Sequence, residues 1–138
     1  MSHYALIQCD FTSEPDLIAA LQEVSPQLRG RVEHYAYGTP LIDYHGKIRP
    51  ERAHIVIRRQ HLNAASNDLG FARGANGVYT AIISDYDQSL GYNAAWLARV
   101  KQVYARNVVV SEATRKGQRI LGQSVKPDGS IVLRIQVG

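Results

Sequence analysis

Glycine and proline recur so closely between Leu28 and Pro50, at Gly30, Gly38, Pro40, Gly46 and Pro50, that a helix of useful length has no room there. That punctuation calls for short strands and turns, with His45-Gly46 at a hairpin tip. The next run alternates. Ala53, Ile55 and Ile57 fall on one side and His54, Val56 and Arg58 on the other, the pattern of a half-buried strand whose polar face is basic. Residues His61 to Asp68, rich in Asn, Ala and Ser, read as a loop. Strands over Leu69–Arg73 and Val78–Ser84 follow, joined by Gly74-Ala75-Asn76-Gly77, in which Asn-Gly supplies the positive φ of a tight hairpin.

The flanks add two helices and more strand. Tyr4 to Phe11 alternates as a first strand, which makes Cys9 a small buried apolar residue. Ser13-Glu14-Pro15-Asp16 then starts a short helix with a cap, acidic first-turn residues and an early proline. Leu17, Leu21 and Val24 keep its spacing, and Ser25-Pro26 ends it. Asp85-Tyr86-Asp87 marks the exit from the middle strands. A longer helix is predicted from near Asn93, with Trp96, Leu97, Val100, Tyr104 and Val108 on its apolar stripe and Gly117 at its end. Three β-branched residues at Val108-Val109-Val110 weigh against it locally. The last segment is a hairpin from Gln118 to Val137 around Lys126-Pro127-Asp128-Gly129, with Ile131, Leu133, Ile135 and Val137 on one face. The expected fold is a single α+β domain over residues 1–138, an antiparallel sheet with one long and one short helix on it.

A chain of 138 residues, 45% of them apolar, can fill one core. One cysteine allows no internal disulfide, no Cys-only zinc site and no paired-thiol redox motif, so a reducing, cytoplasmic setting is expected. No stretch approaches the ~20 apolar residues of a membrane span, and Met1-Ser2-His3-Tyr4 lacks the layout of a signal peptide. Catalytic chemistry finds little support. The five histidines have no metal-ligand spacing, no Gly-x-Ser-x-Gly element occurs, and Cys9 among apolar neighbours has a raised rather than a lowered thiol pKa. Asp85 and Asp87 fit a turn with helix-capping acids better than a catalytic pair. The glycines from Gly70 to Gly77 lack the ending of a phosphate loop. No enzyme activity, cofactor or metal is expected.

What remains is binding. The net charge of +4 is mild, but twelve Arg stand against four Lys, and eight Tyr against two Phe and one Trp. Arg and Tyr together suit a polar, anionic partner, because a guanidinium fits phosphate and stacks on bases, and a phenol ring stacks while keeping a hydroxyl. On an open sheet face Arg58, Arg73 and Arg134, with Tyr35, Tyr37 or Tyr79, would hold RNA or single-stranded DNA. Arg99 and Arg106, on one stripe of the long helix, would contact phosphates. The competing expectation is a protein-protein adapter or assembly module, working with a partner or as a homo-oligomer through the edge of the terminal hairpin.

Several short motifs run through the chain: Met1-Ser2-His3, Asp68 with Gly70-Phe71, Gly77-Val78-Tyr79, Tyr104-Ala105, Glu112-Ala113, Gly117, and Asp128-Gly129-Ser130-Ile131 with Leu133. In these it resembles a family of conserved hypothetical proteins encoded in cyanobacteria and algal plastid genomes, in other bacteria and in some phages. The resemblance covers roughly the first ten residues and the last seventy; residues 25–60 carry none of its motifs. It implies a small soluble domain with no established activity or cofactor. It also implies gene neighbours encoding ring-forming ATPases and small ferredoxin-like proteins, and so a partner protein rather than independent catalysis.

Overall fold

Gly38 and Pro40 do not end a strand. In the computed structural model, which describes residues 3–136, they lie inside β2 (Val32–Ile42), and the left-handed φ of Gly38 (78°) falls where the pairing with β3 (Ile48–Ile57) slips register between His34 and Thr39. The chain thus builds one long, bulged hairpin where short strands were expected. A bulge bends a strand and increases its twist. His45-Gly46 sits at the tip as the sequence predicts, with Gly46 N–H donating to the Asp43 carbonyl.

β4 (Leu69–Arg73) and β5 (Tyr79–Ser84) extend the meander, and β1 (Tyr4–Gln8) adds beside β5, giving an antiparallel sheet in the order β1-β5-β4-β3-β2. The fold is α+β. α1 (Glu14–Val24) begins at Ser13 and stops at Ser25-Pro26 as expected, α2 (Asp85–Ser89) is a short helix capped by Ser84, and α3 (Ala94–Arg115) is capped by Asn93. Val108-Val109-Val110 does not interrupt α3, because the packing of Trp96, Leu97, Val100 and Tyr104 before it and of Ala113 after it decides over local propensity. α1 and α3 cover one sheet face, where Leu17, Leu21, Ile55, Ile57, Phe71, Ile83, Trp96 and Val100 form the main core.

The second face is covered as well. The bend in the long hairpin brings its outer half back over the sheet, and Leu41, Ala53, Val56 and Ile82 close a smaller core there with Tyr4, Tyr35 and Ala72. Gly70 makes this possible. A Cβ at that position would lie 2.5 Å from the Ala53 Cβ and 3.1 Å from a Leu41 methyl. The expectation of a half-exposed basic face beside Val56 is corrected accordingly: Val56 is fully buried.

β6 (Arg119–Val125) and β7 (Ile131–Gln136) form the terminal hairpin, but as a separate two-stranded ribbon. On β7 the half-buried residues are Ile131, Leu133 and Ile135, beside the second half of α3. Val137, expected on the same face, lies outside the described residues, as do Met1 and Ser2.

Candidate interaction surface

Arg58, a proposed phosphate contact, is committed internally. Its Nη1 donates to Asp68 Oδ2 at 2.7 Å, its Nε to Glu33 Oε1 at 3.1 Å and its Nη2 to the Tyr35 hydroxyl at 3.3 Å, with the guanidinium 5.7 Å from the Tyr35 ring centre. Burial opposes its charge, yet these hydrogen bonds outweigh burial and hold its pKa above the ordinary arginine value. Asp68 also accepts the backbone N–H groups of Ile42 and Arg59. The cluster therefore staples the folded-over hairpin to the loop before β4.

Beside it lies a buried polar group made by Asn67, Ser84 and Asp87. Asn67 N–H donates to Asp87 Oδ2, and Asn67 Nδ2 donates to Ser84 Oγ. The Ser84 hydroxyl donates to the same Asp87 oxygen, and Tyr44 N–H donates to Asn67 Oδ1. Tyr4 donates to the Asp68 carbonyl at 2.7 Å. Burial first, and then the Asp68 and Asp87 carboxylates, push its phenol well above the usual tyrosine range. The only sequence signal for this network is a cluster of short polar residues, which equally describes an exposed turn. Asp87 is buried in the first turn of α2, where it accepts from the hydroxyl of the capping Ser84, and the exposed Asp85 points elsewhere, accepting from the His3 and Tyr86 backbone N–H groups. The two do not form a catalytic pair.

The remaining candidates are scattered. Tyr79 is 1% exposed and its hydroxyl faces Glu14, so it has no ring face to offer a base. Tyr35 is tied to Glu33 and Arg58. Tyr37 is 94% exposed. Arg73 lies at the outer end of β4, where its backbone N–H donates to His54 Nδ1. Arg106 is paired with Glu23 and Asn107 on the α1 side. Arg99 is exposed near the start of α3, and the Arg134 guanidinium lies across Gly122 on the terminal ribbon. The structure assembles no Arg/Tyr platform from these residues. Cys9 donates to the Ile7 carbonyl, and burial raises its thiol pKa, as expected from its neighbours.

A different surface emerges at the C-terminal end. Residues 94–138 carry eight Lys and Arg against two Asp and Glu, a formal +6, and residues 1–93 carry eight against ten. Of nine exposed large apolar residues among those described, Val109, Ile120, Leu121, Val125 and Val132 all lie on α3 and the ribbon. The ribbon belongs to no larger sheet, so both of its outer edges are unpaired among the described residues. A groove of about 350 Å³ runs between α3 and β7. Tyr104 is the last aromatic residue in the chain, and it and Trp96 are buried. This arm is basic and aliphatic, with no exposed ring on it.

The fold and this surface define a small α+β protein with a charged, apolar arm. The chain belongs to the protein family of unknown function DUF1257, whose model matches residues 26–134. That match takes in the long hairpin over residues 32–57, where the short motifs gave no resemblance, and leaves out β1 and α1. Comparison with curated proteins and with solved structures finds no match. No helix among the described residues is long and apolar enough to cross a membrane.

Proposed function

We propose that the protein is a non-enzymatic adapter that captures a protein partner through its C-terminal arm. The observation that carries this reading is the concentration of exposed aliphatic side chains on a two-stranded ribbon with unpaired edges. Two strands alone are marginally stable in water, and exposed apolar patches on a folded chain mark contact surfaces. A reducing, cytoplasmic setting fits a chain whose one cysteine is a partly buried thiol.

RNA or single-stranded DNA is the second reading, favoured by the +6 charge of the arm. It ranks lower because unpaired bases are held by aromatic stacking, and the arm exposes no ring.

The test places a photoreactive residue at Leu121, on the arm, or at Tyr37, on the main sheet, in the intact protein, followed by cross-linking in extract of the source cells. A nuclease-resistant protein adduct from position 121 and none from position 37 is the expected result. A nucleic-acid adduct from the arm would replace this reading with the second. No adduct from the arm would remove both.

A further inference from the structure

We infer that the groove between α3 and β7 seats an acidic, amphipathic helix of the partner protein, an inference that rests on the adapter reading above. One wall is helical, with Ala105 and Val109 one turn apart on the exposed side of α3. The other is made of every second residue of β7, Ile131, Leu133 and Ile135. The lining is predominantly aliphatic, and a trough lined by side chains takes the i, i+3/i+4, i+7 ridge of an incoming helix. An added strand would instead pair with backbone at the ribbon edge.

Charge sets the chemistry of the occupant. Arg106 and Lys101 are neutralised by Glu23 and Asp10 from outside the arm, but Arg99, Arg119, Lys126 and Arg134 have no carboxylate partner among the described residues, so the formal +6 of the arm falls only to +4. Complementary potential steers an acidic segment toward such a surface and repels a basic one. The same charge disfavours a second copy of this chain, since two positively charged arms would have to meet.

The probe is a phage-displayed library of random peptides of about 16 residues, long enough for four helical turns, panned on the intact protein. The enriched peptides are expected to carry apolar residues at helical spacing with Asp and Glu between them. They should bind Val109→Asp and Ala105→Glu about tenfold or more weakly than the unchanged protein. Both positions are exposed, and an unchanged thermal melt for at least one of the variants keeps the comparison valid. Basic or aperiodic peptides, no enrichment, or binding indifferent to both substitutions would overturn the assignment. If panning fails while cross-linking from Leu121 still captures a protein, the groove and its occupant are wrong and the adapter reading stands; if both fail, both fall.

Discussion

Arg58, the residue after β3, donates from Nη1 to Asp68 Oδ2 at 2.7 Å, just before β4 begins. The Asp68 side chain is 1% exposed and that of Arg58 16%, so this is an ion pair largely removed from water. Its carboxylate also accepts from Ile42, at the far end of β2, which joins three segments of the chain at one side chain.

Removing Arg58 leaves the Asp68 carboxylate buried with only the Ile42 and Arg59 amides to offset its charge. Arg58→Ala is expected to cost about 3–5 kcal/mol in chemical denaturation, far more than a surface arginine. Arg73→Ala, on an exposed side chain, should stay within about 0.5 kcal/mol. Equal, small effects at the two sites would show that the Arg58 cluster does not hold the hairpin down. Arg58→Glu is for the same reason unsuitable as a probe of ligand binding, because it attacks the fold.

Gly70 is the second point at which the folded-over hairpin depends on one residue. A methyl group there must displace Ala53 or Leu41, so Gly70→Ala is expected to destabilise by about 1–3 kcal/mol through overpacking. Hydrogen exchange distinguishes this from general loosening. The Asp68 amide, which donates to the Ile42 carbonyl, should lose protection more than amides in the β1–β5 pairing. Uniform loss across the sheet would contradict the local account.

The same hairpin explains where sequence reading succeeded and where it stopped. Caps and turns were legible because their signals are local: Ser13 and Asn93 start helices, and Gly46, Gly77 and Gly129 take left-handed φ at hairpin tips. The bending of β2–β3 over the sheet was not, because it depends on Gly70 meeting Leu41 and Ala53 from distant strands. Once that face is covered, Arg58 and Tyr35 are engaged with Glu33 and Asp68 in a half-buried cluster. Tyr79 fails for a similar reason. Its alternation marks one face of β5, but only the packing of α1 and α3 decides that this face is the core. The arm was half legible: its alternating strand was plain, and its separation from the main sheet was not.

His54 supplies a pH dependence. Its Nδ1 accepts the Arg73 amide at 3.0 Å, which requires the neutral ring on that nitrogen. Burial, and then the Arg73 and Arg52 charges, lower its pKa below the usual 6.5. The unfolded chain therefore binds this proton at a higher pH than the folded one. The His54 contribution to stability is complete above pH ~6.5 and is lost as pH falls from there toward the folded-state value. Melting temperatures of the unchanged protein and His54→Asn, measured from pH 7.5 to pH 5, should diverge in slope, the variant lacking this part of the acid loss. Parallel curves would remove His54 from the account.

Tyr104 ties the root of the arm to the start of α1. Its hydroxyl oxygen accepts the backbone N–H of Thr12 and of Ser13, each at 2.9 Å, where the N-terminus of a helix has donors without intrahelical partners. Ser13 makes no side-chain cap bond of its own, and its hydroxyl donates to Asp16 Oδ2. Tyr104→Phe keeps the ring against Phe11, 4.9 Å between centres, and removes only the acceptor, so any loss belongs to the two stranded amides. Thr12 is exposed and Ser13 half-buried, so water reaches both amides in part, and a destabilisation of about 0.5–1.5 kcal/mol, that of an ordinary hydrogen bond, is expected in chemical denaturation. The Thr12 and Ser13 amides should exchange faster even where the global melt moves little, since the defect sits at one helix end. An unchanged denaturation midpoint together with unchanged exchange would mean that water replaces the hydroxyl, and that the arm is anchored by apolar packing alone.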